Sequence, residues 1–140
     1  MKIKPLKIIF ESFDDFMDRA EGKIKRATKT GKAQKSPKNE LRFASVTAYQ
    51  QVMSDQKYAI LAAIYRHNPP SIYQLAKILG RTTQNVIRDC KVLAGHGFIE
   101  FAELGDGRKT KVPRLAFDYN TLVICMPNVT YKIEFEDEAA

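Results

Sequence analysis

The strongest pattern of apolar and polar positions runs from Ser71 to Gly97. Ile72, Leu75, Ala76 and Leu79 recur at helical spacing, and the pattern predicts a first helix there. Pro69 and Pro70 end whatever precedes it. Ser71 can cap it, with Gln74 three residues on completing a capping box. Gly80 supplies the permissive backbone of a helix end. Thr82 or Thr83 can cap a second helix, whose inward stripe is Val86, Ile87, Cys90, Leu93 and Ala94. Gly95 and Gly97 mark its end. Ala76 lies four residues before Gly80, where two steeply crossing helices leave room only for a small side chain. The outward positions of the second helix are Thr83, Gln84, Asn85, Arg88 and Lys91, the side-chain types that meet base edges and phosphates. A helix-turn-helix is expected; the plainer alternative is a helical pair with a solvated polar face.

Phe98 to Ala102 then reads as a short strand, and Gly105-Asp106-Gly107 as a hairpin turn. A basic return strand begins with Arg108, Lys109 and Lys111 and can run to Phe117. A hairpin of this kind directly after the helix pair reads as a wing. Upstream, Leu41–Val46 alternates like a strand, Thr47 can cap a short helix through Met53, and Ser54 starts a helix to His67. The centre of that helix, Tyr58–Tyr65, is apolar nearly all round, which marks it as the buried helix on which the pair packs.

At the start of the chain, Lys7–Phe10 reads as a strand and Ser12 as the cap of a helix through Arg26. Phe13, Phe16, Met17, Ala20 and Ile24 form an apolar stripe on it, either core or a dimer surface. Residues 27–40, with Lys29, Lys32, Lys35 and Lys38 at every third position, read as a basic linker: a solvated loop or a phosphate-tracking arm. At the other end, Leu122–Met126 and Val129–Phe135 read as two strands flanking a Pro-Asn turn. They can extend the wing, pair with the N-terminal strands or bind a basic partner. Glu134, Glu136, Asp137 and Glu138 make an acidic tip.

The chain has 140 residues, 44% of them apolar, and a net charge of +7. That charge favours an anionic partner. It is unevenly spread: residues 1–53 carry 12 basic and 6 acidic side chains, 54–116 carry 10 and 5, and 117–140 carry 1 and 5. The acidic end should therefore face away from phosphate. Cys90 and Cys125 show no pair spacing, and Cys90 falls on an inward face. His67 and His96 stand at helix ends with no ligand-spaced partner, so no metal or other cofactor is expected. No signal peptide or membrane span is visible, and a cytoplasmic protein is expected. No Walker loop, Cys-x-x-Cys pair or nucleophile–base set is recognisable, and the sequence does not read as an enzyme.

Residues Ser54–Phe117 resemble the MarR-like winged-helix family. The resemblance rests on Pro70–Ala76, Gly80–Asp89 and Lys91–Ile99. Within that family the chain looks most like small DNA-binding regulators that begin with a helix rich in Phe and acid, here Phe10–Phe16. Such proteins often resemble antitoxins encoded beside a small toxin. The resemblance implies double-stranded DNA as a partner, a homodimer and, on its antitoxin side, a small toxin protein.

The fold expected is α+β: a winged helix-turn-helix with an N-terminal strand-helix extension and a C-terminal β-hairpin. Its segments are residues 1–40 (strand, helix, basic linker), 41–117 (DNA-binding domain) and 118–140 (strands and acidic tip). The function expected is sequence-specific DNA binding as a transcriptional regulator, with the second helix in the major groove. Thr83, Gln84 and Asn85 would read bases, Arg81, Arg88 and Lys91 would contact phosphate or guanine, and Arg108, Lys109 and Lys111 would hold the flanking backbone or minor groove. The alternative is an antitoxin or scaffolding winged helix that binds a protein.

Overall fold

The computed structural model describes residues 2–30, 39–103, 111–126 and 129–136. Among them it is a mixed α+β structure with five helices and two sheets. In chain order the elements are β1 (Pro5–Phe10), α1 (Phe13–Thr30), β2 (Glu40–Phe43), α2 (Val46–Val52), α3 (Asp55–His67), α4 (Ile72–Leu79) and α5 (Thr83–Gly95), then β3 (Ile99–Glu103), β4 (Lys111–Leu115), β5 (Thr121–Cys125) and β6 (Thr130–Glu134).

The helices start where short hydroxyl side chains can satisfy free backbone donors. Ser12 accepts from the Asp15 amide at 3.1 Å, Ser54 from Lys57 at 3.4 Å and Ser71 from Gln74 at 3.1 Å. At α2 the cap is Ser45, which accepts from Ala48, and not Thr47 as expected. Strand β2 accordingly stops at Phe43, short of the expected Val46. Of the two threonines that could cap α5, Thr82 is the cap and Thr83 is its first residue.

Helix α3 buries Ile60, Leu61, Ala63 and Ile64, and α4 and α5 pack on it. Gly80 closes α4 in a left-handed conformation, φ 65°. Its amide donates to the Lys77 carbonyl and that of Arg81 to Ala76, which turns the chain within three residues into α5. Ala76 is buried at this crossing. Hairpin β3–β4 follows α5 directly, with Ile99 opposite Leu115 and Glu103 opposite Lys111.

The larger sheet has the order β2-β1-β5-β6. Strand β1 runs parallel to both its neighbours, and β5 and β6 are antiparallel. The N-terminal, middle and C-terminal segments of the sequence thus each place strands in one sheet. Leu6 and Ile8 are fully buried and stand in register with Leu122 and Ile124. Asn120, itself buried, fastens the junction: its side-chain oxygen accepts from the Lys4 amide at 2.9 Å and its amide nitrogen donates to the Lys2 carbonyl at 3.1 Å. The sheet and the helices share one core, which includes Leu6, Phe43, Ile64, Leu93, Tyr119 and Phe135.

The N-terminal helix differs from expectation in length and in burial. α1 continues to Thr30, so the first four residues of the expected linker are helical; Lys32, Lys35 and Lys38 lie outside the described residues. Its apolar stripe is not core. Phe13 is 73% exposed, Ile24 66%, Met17 49% and Phe16 46%. What holds α1 is its polar side near the first turn: Arg19 donates to Glu11 at 2.8 Å, and Arg42 of β2 reaches the same carboxylate at 3.0 Å. The Arg19 hydrogen bond holds the Glu11 carboxyl below its ordinary pKa, against the opposing effect of desolvation. The C-terminal hairpin forms as expected, though it pairs with β1 and not with β3–β4; the Pro-Asn turn and the end of the acidic tip lie outside the described residues.

Two glycines should respond in opposite directions to the same change. Gly97 has φ +88°, and an added Cβ would lie 3.1 Å from the Leu41 Cδ2 atom. Gly97→Ala should cost about 1–2 kcal/mol in urea unfolding. Gly22 lies within helical α1 with nothing within 4 Å of an added Cβ. Gly22→Ala should add about 0.5–1 kcal/mol. Equal effects at both sites would contradict this reading of the backbone.

Candidate nucleic-acid interface

Helix α5 divides cleanly by face. Val86, Cys90 and Leu93 are buried against the helices beneath it. Burial, helped by the adjacent Asp89 carboxylate, pushes the Cys90 thiol up to about 12, so it stays protonated and packs as a small apolar group. On the other face Gln84, Asn85, Arg88 and Lys91 are exposed and lie within two helical turns of one another. Thr83 is half-buried and stands at their edge. No acidic side chain occupies the first turn of α5.

Two of these side chains are coupled. Arg88 donates through Nη2 to the Asn85 side chain at 2.8 Å. An arginine has no acceptor, so the Asn85 atom it meets must be the amide oxygen. With that oxygen engaged, the Asn85 nitrogen and the remaining guanidinium N–H groups are donors carried by two exposed residues. The exposed face of α5 is therefore a donor-rich surface matched to acceptors such as phosphate oxygens or the O6 and N7 atoms of guanine.

Arg81 does not join that face. Its Nη2 donates to Asp89 at 2.7 Å, and the two side chains are only 18% and 14% exposed. The other terminal nitrogen, Nη1, is buried without a hydrogen-bond partner among the described residues. The bridge fastens the turn before α5 to its second turn, so Arg81 is a structural cation rather than a ligand contact. The sequence spacing could not reveal this, because the 81–89 separation matches no simple helical repeat once a turn intervenes.

On the hairpin, Lys111 is exposed with its Nζ 5.5 Å from the Phe101 ring centroid, which limits its wandering without neutralising it. Arg108 and Lys109 lie outside the described residues. Arg114, not singled out from the sequence, donates to the Pro69 carbonyl at 2.9 Å and so ties β4 to the connection between α3 and α4. Tyr73 and Lys77 of α4 were also missed. Both are exposed, with the Lys77 Nζ 4.6 Å from the Tyr73 ring centroid. They are two of the four positions, Tyr73, Gln74, Lys77 and Ile78, that the Ile72–Leu79 apolar stripe leaves out. His96 closes α5 and stacks on Phe43 at 5.7 Å between ring centroids.

Among the described residues, no group of three or more His, Cys, Asp or Glu side chains is placed to hold a metal ion. No helix among them is long and apolar enough to cross a membrane. No curated protein matches the chain. Residues 52–122 match the HVO_A0114 family. That stretch spans α3, α4, α5 and the β3–β4 hairpin, and it is just over half of the 140 residues. On that match the chain belongs to the HVO_A0114 family.

Proposed function

We propose that the protein binds double-stranded DNA sequence-specifically as a transcriptional regulator, with α3–α5 and β3–β4 acting as a winged helix-turn-helix of MarR-like type. The observation that carries the reading is the exposed face of α5, where Gln84, Asn85, Arg88 and Lys91 stand together and Arg88 is hydrogen-bonded to Asn85. In this reading α5 enters the major groove, the coupled pair meets guanine O6 and N7, and Lys111 lies on the flanking backbone. The net charge of +7 supplies the non-specific attraction.

Selection of bound sequences from a random duplex pool, followed by mobility shift of the winners, tests the proposal directly. Recovery of no enriched sequence, with no binding even at low salt, would overturn it. Arg88→Ala should weaken binding to the selected duplex by about 1–3 kcal/mol and random duplex much less. Replacing guanine by 7-deazaguanine at the contacted position should weaken the wild type and leave Arg88→Ala little changed.

Arg81 and Lys111 should part company in the same assays. Lys111→Ala should flatten the log–log salt dependence of DNA binding by about one unit while thermal stability holds. Arg81→Ala should lower stability by about 1–3 kcal/mol, since it strands Asp89, while the salt slope of the remaining folded protein is unchanged. A slope change from Arg81→Ala comparable to that of Lys111→Ala would return Arg81 to the interface.

A further inference from the structure

A cleft of about 460 Å³ opens where three parts of the fold meet. Tyr65 lines it from the end of α3, Glu100, Arg114 and Leu115 from the paired strands β3 and β4, and Phe117 and Asp118 from the connection to β5. A volume of this size suits a small molecule. The cleft is separate from the exposed face of α5, since no residue of α5 lines it. Its two rings are held from behind. Tyr65 packs on Phe135 at 5.8 Å between centroids and Phe117 on Tyr119 at 5.0 Å, so the apolar wall is formed in advance.

The charges in the cleft narrow down what it takes. Glu100 and Arg114 stand opposite each other in the hairpin register, so their side chains leave the same face of the ribbon, about 5 Å apart at Cβ. Neither forms an ion pair among the described residues. Arg114 instead donates through Nη1 to the Pro69 and Pro113 carbonyls, at 2.9 and 3.0 Å. Its Nε and Nη2 have no acceptor among the described residues, although the side chain is half-buried. Asp118 is already held by Lys4. The cleft therefore offers one carboxylate and one guanidinium, each without a charged partner. A ligand of single charge would satisfy one and meet the other with like charge. A small zwitterion satisfies both. We propose that this cleft binds a free α-amino acid with an aromatic side chain. Its carboxylate accepts from Arg114, its ammonium donates to Glu100, and its ring lies against Leu115, Phe117 and Tyr65. The proposal stands whether or not α5 binds DNA.

Calorimetric titration of the full chain, with no DNA present, tests the pairing of both charges. The probes are L-phenylalanine, phenethylamine, which lacks the carboxylate, and 3-phenylpropionate, which lacks the ammonium. L-Phenylalanine should bind with a Kd below about 1 mM, and each of the other two at least about tenfold more weakly. Arg114 also holds the Pro69 carbonyl, so the substitution is placed on the other partner. Glu100 is exposed, and Glu100→Gln should keep the native circular dichroism. It should weaken L-phenylalanine about tenfold without weakening 3-phenylpropionate. No binding of L-phenylalanine would overturn the proposal. So would an analogue that binds as tightly as L-phenylalanine, since one charge would then suffice. An unchanged affinity for L-phenylalanine in Glu100→Gln would place the site elsewhere and overturn it equally.

Discussion

A single buried hydroxyl ties the two halves of this molecule together. Tyr119 is wholly out of water, and its hydroxyl donates at 2.7 Å to the Phe98 carbonyl, which also accepts from the Ala116 amide. Phe98 is where the chain leaves α5 for the hairpin; Tyr119 is where it is about to enter β5. A hydroxyl buried without a partner costs on the order of 1–3 kcal/mol, so the end of α5 and the start of β5 must stay in register with one another. Burial raises the phenol above its ordinary pKa, so the group remains a donor at neutral pH. Phe117 and Phe135 pack on the ring at centroid distances of 5.0 and 6.0 Å, which leaves it little freedom to swing away. The hydroxyl thus links the end of α5 to the approach to the four-stranded sheet, while α5 itself packs on α3, α4 and β3.

Local patterns survived folding well. The capping serines before α1, α3 and α4, the glycine after α4, the all-round apolar α3 and the inward stripe of α5 lie where their chemistry asked them to lie. Each of these depends on residues within one or two turns of itself, which is the range over which a sequence can be read by spacing alone. The exposed face of α5 was legible for the same reason, since it is what remains once the buried stripe is taken away.

What was not legible depends on partners distant in the chain. Nothing in Pro5–Phe10 says that it lies between β2 and β5, because parallel pairing leaves no turn signal and the two neighbours come from opposite ends of the sequence. The fate of Arg81 was hidden by an acid eight residues on, across a turn whose geometry no repeat describes. The α1 stripe could be read as core or as a contact surface, because burial and exposure of an amphipathic helix have the same sequence pattern; only the position of the neighbouring elements separates them. The run of lysines after it disguised the helix end, since lysine serves a last turn and a solvated loop equally well.

The place of β1 in the middle of its sheet has a consequence for how the molecule is made. The Lys4 amide bonds to Asn120, 116 residues later, and β1 pairs with β5 immediately beyond it. During synthesis β1 can meet β2 soon after it emerges, but its β5 side stays open until Thr121–Cys125 has followed. The segment from α3 to β4 needs no such delay, because its contacts are local and can form as it appears. Closure of the sheet must come after both, paying the entropy of a loop that spans most of the sequence. A strand that lies inside its sheet in the finished protein, with Leu6 and Ile8 fully buried, is thus long without its neighbour on the way to it, and it is a segment that a chaperone would have reason to hold.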